Sequence, residues 1–205
     1  NSHFAAGTTA VPFLFGDLPC RGDFALSAQL WAHPYRDPHT RYLFDDAPFV
    51  VEWLEQQMNV PARLRLIVSS IQIIADGHGW EAWRTLPNER QKLYQLIADS
   101  DATDTVFLSG DRHSAAIYEE NENLPFTVTE ITSSSLNVPL SGFVKNIQDE
   151  PGPNRIGKPF YQANYGLIEI DWESNTANLS IKNISSTTVR SKTINLGSLE
   201  PKTHQ

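Results

Sequence analysis

The chain has one cysteine, Cys20, so it cannot close a disulfide on itself and its redox compartment stays unread. It has no run of about 18 apolar residues, which excludes a membrane-spanning helix from this sequence. It has no basic-then-apolar start of the kind a secretory leader carries, so no signal peptide is expected in these residues. Positive charge is scarce: 16 Lys and Arg stand against 24 Asp and Glu, a formal net charge of −8. A nucleic-acid partner needs a basic stripe, and none is present. A small phosphate ester is still admissible, because a bound metal reverses the field locally. Internal repeats and low-complexity tracts are absent too. What remains is ordinary for a globular protein, 40% hydrophobic and 20% charged, and 205 residues suffice for one core and a single domain over 1–205.

The chain is organised around Asp104 to Tyr118, DTVFLSGDRHSAAIY. Thr105 to Leu108 is an uninterrupted apolar run, the pattern of a strand buried on both faces. It ends in Ser109-Gly110, followed by Asp111, Arg112 and His113. A carboxylate and an imidazole two residues apart, just past the C-terminal end of a buried strand, lie where open α/β sheets bind ligands. Gly110 is expected to let the backbone turn tightly there. Asp oxygen with His nitrogen suits zinc, iron or manganese. The competing reading takes Asp111 as a turn residue and His113 as incidental.

Residues 1–41 read as irregular, with Pro34 and Pro38 breaking any helix begun over 25–32. Asp37 and His39 form an Asp-x-His, but no buried strand precedes it, and a polar loop fits better. Ala47 to Met58 has helical spacing, with Asp45 or Asp46 as N-cap. Leu64 to Ile74 reads as a long central strand with Ser69, Ser70 and Gln72 as its polar members. Gly77 to Trp83 is a loop by its glycines, which places His78 within reach of the same crevice. Trp80 and Trp83, three apart, would share a face on a helical turn, packing the loop onto the body or walling a substrate. Pro87 opens a helix with Leu93, Leu96 and Ile97 as its apolar stripe, stopped at Ser100-Asp101. Strand, helix and strand make a βαβ crossover. Then come strands over 126–131, 166–172, 177–184 and 188–196, a polar loop over 132–137 and a long surface loop over 139–159.

LRLIVSSIQII (64–74), GHGWEAWRTLPNERQKL (77–93), VFLSGDRH (106–113), ITSSSLN (131–137) and NYGLIEIDW (164–172) stand in that order. Together they resemble the C-terminal half of the alkaline phosphatase D (PhoD-like) phosphoesterases of the calcineurin-like metallophosphoesterase superfamily. The resemblance implies a layered α/β/β/α sandwich, here incomplete. It implies a metal-dependent hydrolysis of phosphate mono- or diesters by a metal-activated water. The cofactors implied are divalent or trivalent ions (Fe, Zn, Mn or Ca), and a secreted or periplasmic location is implied as well. By motif, Asp111 and His113 correspond to metal ligands and His78 to a catalytic position. Arg112 and Trp80 are candidates to touch substrate, although a solvent-facing Arg112 is the plainer expectation. The family's early ligand motifs are missing, and no Gly-Asn-His stands anywhere in the sequence. The isolated chain is therefore expected to be inactive. It reads as part of a phosphatase completed by an N-terminal half or partner chain; the alternative is a non-catalytic α/β binding or structural module.

Overall fold

The computed structural model describes residues 58–142 and 150–197. The chain divides into two compact units, Asn1–Val60 and Pro61–Gln205, and the elements below belong to the second. The irregular segment over 1–41, with Asp37 and His39, lies outside the described residues, as does all but Met58 of the helix expected over 47–58.

Arg65–Val68 (β1) and Thr105–Ser109 (β2) run parallel side by side, Arg65 opposite Thr105 and Val68 opposite Leu108. Pro87–Asp99 (α1) joins them, so the crossover read from the spacing is present. Pro87 opens α1, where its missing N–H costs nothing. The helix stops on a left-handed Asp101, φ 45°. There the N–H of Ala102 bonds Ile97 O and that of Asp101 bonds Ala98 O, each at 3.0 Å. That pair of bonds is a Schellman stop, with Asp in the place glycine usually takes.

Among the described residues, Ala115–Glu120 (β3), Val128–Ser133 (β4) and Arg155–Phe160 (β5) make with them a five-stranded mixed sheet, ordered β1-β2-β4-β3-β5. β4 is parallel to β2, while β3 runs antiparallel to both β4 and β5. Asn164–Asp171 (β6), Thr176–Asn183 (β7) and Thr188–Asn195 (β8) form a separate antiparallel meander. One face of the mixed sheet meets that meander. Val106, Ala115, Ile117 and Ile131 cluster with Leu179 and Ile181 in a core closed by Ile168 and Ile194. The period of two turns Phe107 and Glu130 to the opposite face. Both are fully buried there.

Two expectations change. The strand expected over 64–74 ends at Val68, and β1 is an edge among the described residues rather than central. Ile73 and Ile74 are buried as loop residues, because the Glu130 carboxylate accepts their N–H groups at 2.8 and 2.7 Å in place of a neighbouring strand. The surface loop expected over 139–159 contains all of β5 but its last residue, Phe160. Gly157 and Pro159 hid it, and β5 tolerates them because, among the described residues, it is an edge strand. β3 was not anticipated as a strand, since it follows the site turn without a break.

Candidate functional site

The site turn begins where β2 ends. Asp111 and His113 both adopt left-handed backbone, φ 58° and 51°. Gly110 does not, so the reversal expected of the glycine is carried by the two candidate ligands. Space does not demand glycine there either. A Cβ at 110 would meet Ser134 Cβ and Ser70 O at an ordinary 3.6 Å. Left-handed geometry at a non-glycine residue costs about 1–2 kcal/mol, less for Asp than for most, so neighbours must hold the turn.

Those neighbours are the serines after β4. Ser134 Oγ accepts from the Arg112 N–H at 2.9 Å and donates to Ser114 O at 3.3 Å, bridging the middle and the end of the turn. Buried Asn164 holds the serine run in turn. Its Oδ1 accepts from Ser133 Oγ at 2.8 Å, its Nδ2 donates to Ser135 Oγ, and its main-chain N–H bonds Ser135 O at 3.0 Å. The chain after the serines also touches His113. Leu140 N–H bonds the His113 carbonyl at 2.7 Å, and His113 Nδ1 lies 2.7 Å from Val138 O. A carbonyl only accepts, so Nδ1 carries the proton and the neutral ring's lone pair is on Nε2. Metal-bound histidines are oriented by this kind of second contact. Asp111 is exposed and His113 half-buried, while Arg112 between them is buried.

Arg112 therefore departs from the solvent-facing expectation. Its Nη2 donates to both Glu150 oxygens, at 2.7 and 2.6 Å, and its Cζ lies 5.8 Å from the centre of the Trp80 ring. The two tryptophans do not share a face. Trp80 is 60% exposed, whereas Trp83 is buried and donates its indole N–H to Ser69 Oγ at 3.1 Å. No helical turn spans them: the short 3-10 turn begins only at Trp83.

His78 is 4% exposed. Its Nδ1 accepts the Trp80 N–H at 3.2 Å, so its proton is on Nε2. Burial, with help from Arg112, lowers its pKa from 6.5 to about 4, and the ring is neutral at pH 7. Gly77 before it has φ +87°, and a Cβ there would come within 3.0 Å of Pro151. The loop thus lies against the segment that carries Glu150.

Beneath the site the ends of β2 and β4 share a polar floor with Gln72, from the loop after β1. Gln72 Nε2 donates to Thr132 Oγ1 at 2.9 Å, and Thr132 lies 2.8 Å from Ser109 Oγ. Burial raises the Glu130 pKa, and the Ser109 hydroxyl and loop N–H groups oppose that.

The structure thus gathers His78, Trp80, Arg112 and Glu150 in one place, with Asp111 and His113 on the turn around Arg112. Among the described residues, no three His, Cys, Asp or Glu side chains come together as a metal site. Asp111 and His113 are two donors, too few to hold an ion by themselves. Glu150, Ser134 and Glu130 were not singled out from sequence. Only Glu130 carried a signal, a carboxylate inside an otherwise apolar and Thr-rich strand.

The fold and turn define a mixed α/β protein with a polar site at the C-terminal ends of parallel strands. The model of the PhoD-like phosphatase family matches residues 51–180, and the chain belongs to that family. It is also similar to a solved chain described as "Structure of PhoD", at 11% identity and a TM-score of 0.47, over 69% of this chain. This chain spans 31% of that structure's length. No curated protein matches it.

Proposed function

We propose that this chain carries part of a phosphoesterase site, of the layered metallophosphoesterase kind, that hydrolyses phosphate mono- or diesters. The observation behind this reading is the left-handed Asp111–His113 turn, clamped by Ser134 and with His113 Nδ1 tied to Val138 O. In this reading Asp111 and His113 are two donors of a metal site completed by the family's N-terminal half or by a partner chain. The ion, one of Fe, Zn, Mn or Ca, would supply an activated water when bound. Arg112 and Trp80 border the place where the ester's phosphate would lie. His78, neutral with its proton on Nε2, can only donate a hydrogen bond there at pH 7; it is not a general base.

The second reading is a non-catalytic module of the same fold, favoured by the lack of a third donor among the described residues. Nitrophenyl phosphate mono- and diester assays of the purified chain, with each metal and with the family's N-terminal half added, separate the two. The expected result is no turnover alone and turnover on complementation, lost in Asp111→Asn and His113→Ala together with bound metal. Wild-type metal content and rate in both variants would defeat the proposal.

A further inference from the structure

Arg112 is buried, and its guanidinium is engaged by a carboxylate from a distant part of the chain. Glu150 offers both oxygens to Nη2 at 2.7 and 2.6 Å, and Arg155 fixes the Glu150 main chain by donating to its carbonyl at 2.7 Å. The exposed Trp80 ring covers the guanidinium from one side. A buried guanidinium demands an anion, and Glu150 supplies one.

A second donor, without an acceptor, lies on the loop that carries Trp80. His78 accepts at Nδ1 from Trp80 N–H, so Nε2 bears the proton. Nε2 is buried and has no hydrogen-bond partner among the described residues. A buried donor left unpaired is costly, and such groups recur at sites that await a ligand. The charges of Arg112 and Glu150 both act on this ring, as do those of Arg84 and Asp76.

We propose that Arg112 and the Nε2–H of His78 form a subsite for a tetrahedral oxyanion, and that the Glu150 carboxylate occupies it, competing with the incoming anion. A carboxylate and a phosphate both present oxygens to a guanidinium, so one can replace the other on Arg112. A phosphate brings further oxygens, and one of these can take the His78 proton donor. The choice of phosphate as the anion rests on the phosphoesterase reading. The subsite itself uses only residues of this chain and needs no metal. Glu150 then sets the anion affinity of the site: displaced, it opens Arg112; in place, it keeps weak anions out.

The test titrates inorganic phosphate into the full chain with a chelator at pH 7.5, read by calorimetry. Glu150→Ala should bind phosphate at least ~10-fold more tightly than wild type, about 1.4 kcal/mol. Adding His78→Phe should remove most of that gain. Glu81→Ala removes the same charge from an exposed position and should gain far less. Circular dichroism checks the fold, and Glu150→Gln, which keeps an acceptor on Arg112, carries the test with a smaller gain if the alanine variant unfolds. Equal gains in the Glu81 and Glu150 variants would reduce the effect to net charge and overturn the subsite. No gain in folded Glu150 variants, or a gain unchanged by His78→Phe, would overturn it as well. Failure of the phosphoesterase reading looks different: phosphate binding persists and no ester is turned over.

Discussion

His78 should make the stability of this protein fall in mildly acidic solution, by an amount set by its burial. In the unfolded chain its imidazole takes a proton near pH 6.5. In the fold, burial and the nearby Arg112 and Arg84 hold the value down to about 4, against the opposing pull of Glu150 and Asp76. Above pH 6.5 the ring is neutral in both states and contributes no slope. Between pH 6.5 and about 4 only the unfolded chain binds the proton, so stability drops as pH falls; below that window the slope vanishes. Each tenfold in proton affinity is about 1.4 kcal/mol, so the drop between pH 7.5 and 4.5 comes to about 2–3 kcal/mol. His78→Asn removes the titration while leaving an oxygen to accept the Trp80 N–H. Urea unfolding of both proteins at pH 7.5, 5.5 and 4.5, followed by circular dichroism, should show the two stabilities converging as pH falls. Stability differences that stay constant across the three pH values would refute the reasoning, and so would a ring nitrogen spectrum with the proton on Nδ1.

Glu130→Gln keeps the shape but turns an amide group toward one of the loop N–H donors. It should cost about 1–3 kcal/mol in urea unfolding and loosen Ile73 and Ile74 in hydrogen exchange. Ser134→Ala leaves Arg112 N–H and Ser114 O without their shared hydroxyl; a loss of about 1–2 kcal/mol and faster exchange at the Arg112 amide are expected. Gly77→Ala meets both a left-handed backbone and Pro151 at 3.0 Å. A melting temperature equal to wild type would show that this loop yields more easily than its packing implies.

The strand-helix-strand unit was legible because each of its signals is local. Val106 and Phe107 make an apolar run, Pro87 fixes the helix start, and Leu93 and Ile97 repeat at helical spacing. β1 was overextended because buried Ile and Val look alike in strand and loop. Their difference lies in Glu130, 57 residues from Ile73, taking the N–H that a strand would have taken. β5 was missed for the converse reason: glycine and proline read as loop until an edge position excuses them. At the site, Asp111, Arg112 and His113 stand next to one another in sequence and could be read together. Glu150 could not be, because nothing near it marks it as the partner of an arginine 38 residues away. The tautomers of His78 and His113 are likewise set by main-chain atoms that only the fold brings close.

The left-handed pair at Asp111 and His113 stands where the proposed site needs its two donors. Asp101, Asn175 and Ser186 take the same backbone in plain turns, so the conformation alone does not mark a site, and Gly110 does not use its own freedom for it. At 111 and 113 this backbone falls on the two side chains that the proposed chemistry needs, which makes the turn a candidate for geometry held for function. Replacing Asp111 tests this directly, because Ala and Gly both delete the carboxylate and differ mainly in tolerance of φ 58°. Asp111→Ala should lose about 1 kcal/mol of stability, since Ala lacks the local polar contact that lets Asp visit this region. Asp111→Gly relieves the backbone and loosens the unfolded chain, two effects of about 0.5–1 kcal/mol that offset. It should melt close to wild type, above the alanine variant. In the proposed site, once completed, both should lose metal, so that stability and metal content part company in the glycine variant. Equal melting of Ala and Gly variants would mean that Asp111 is not held in left-handed backbone, and the turn would lose its claim as a preorganised site.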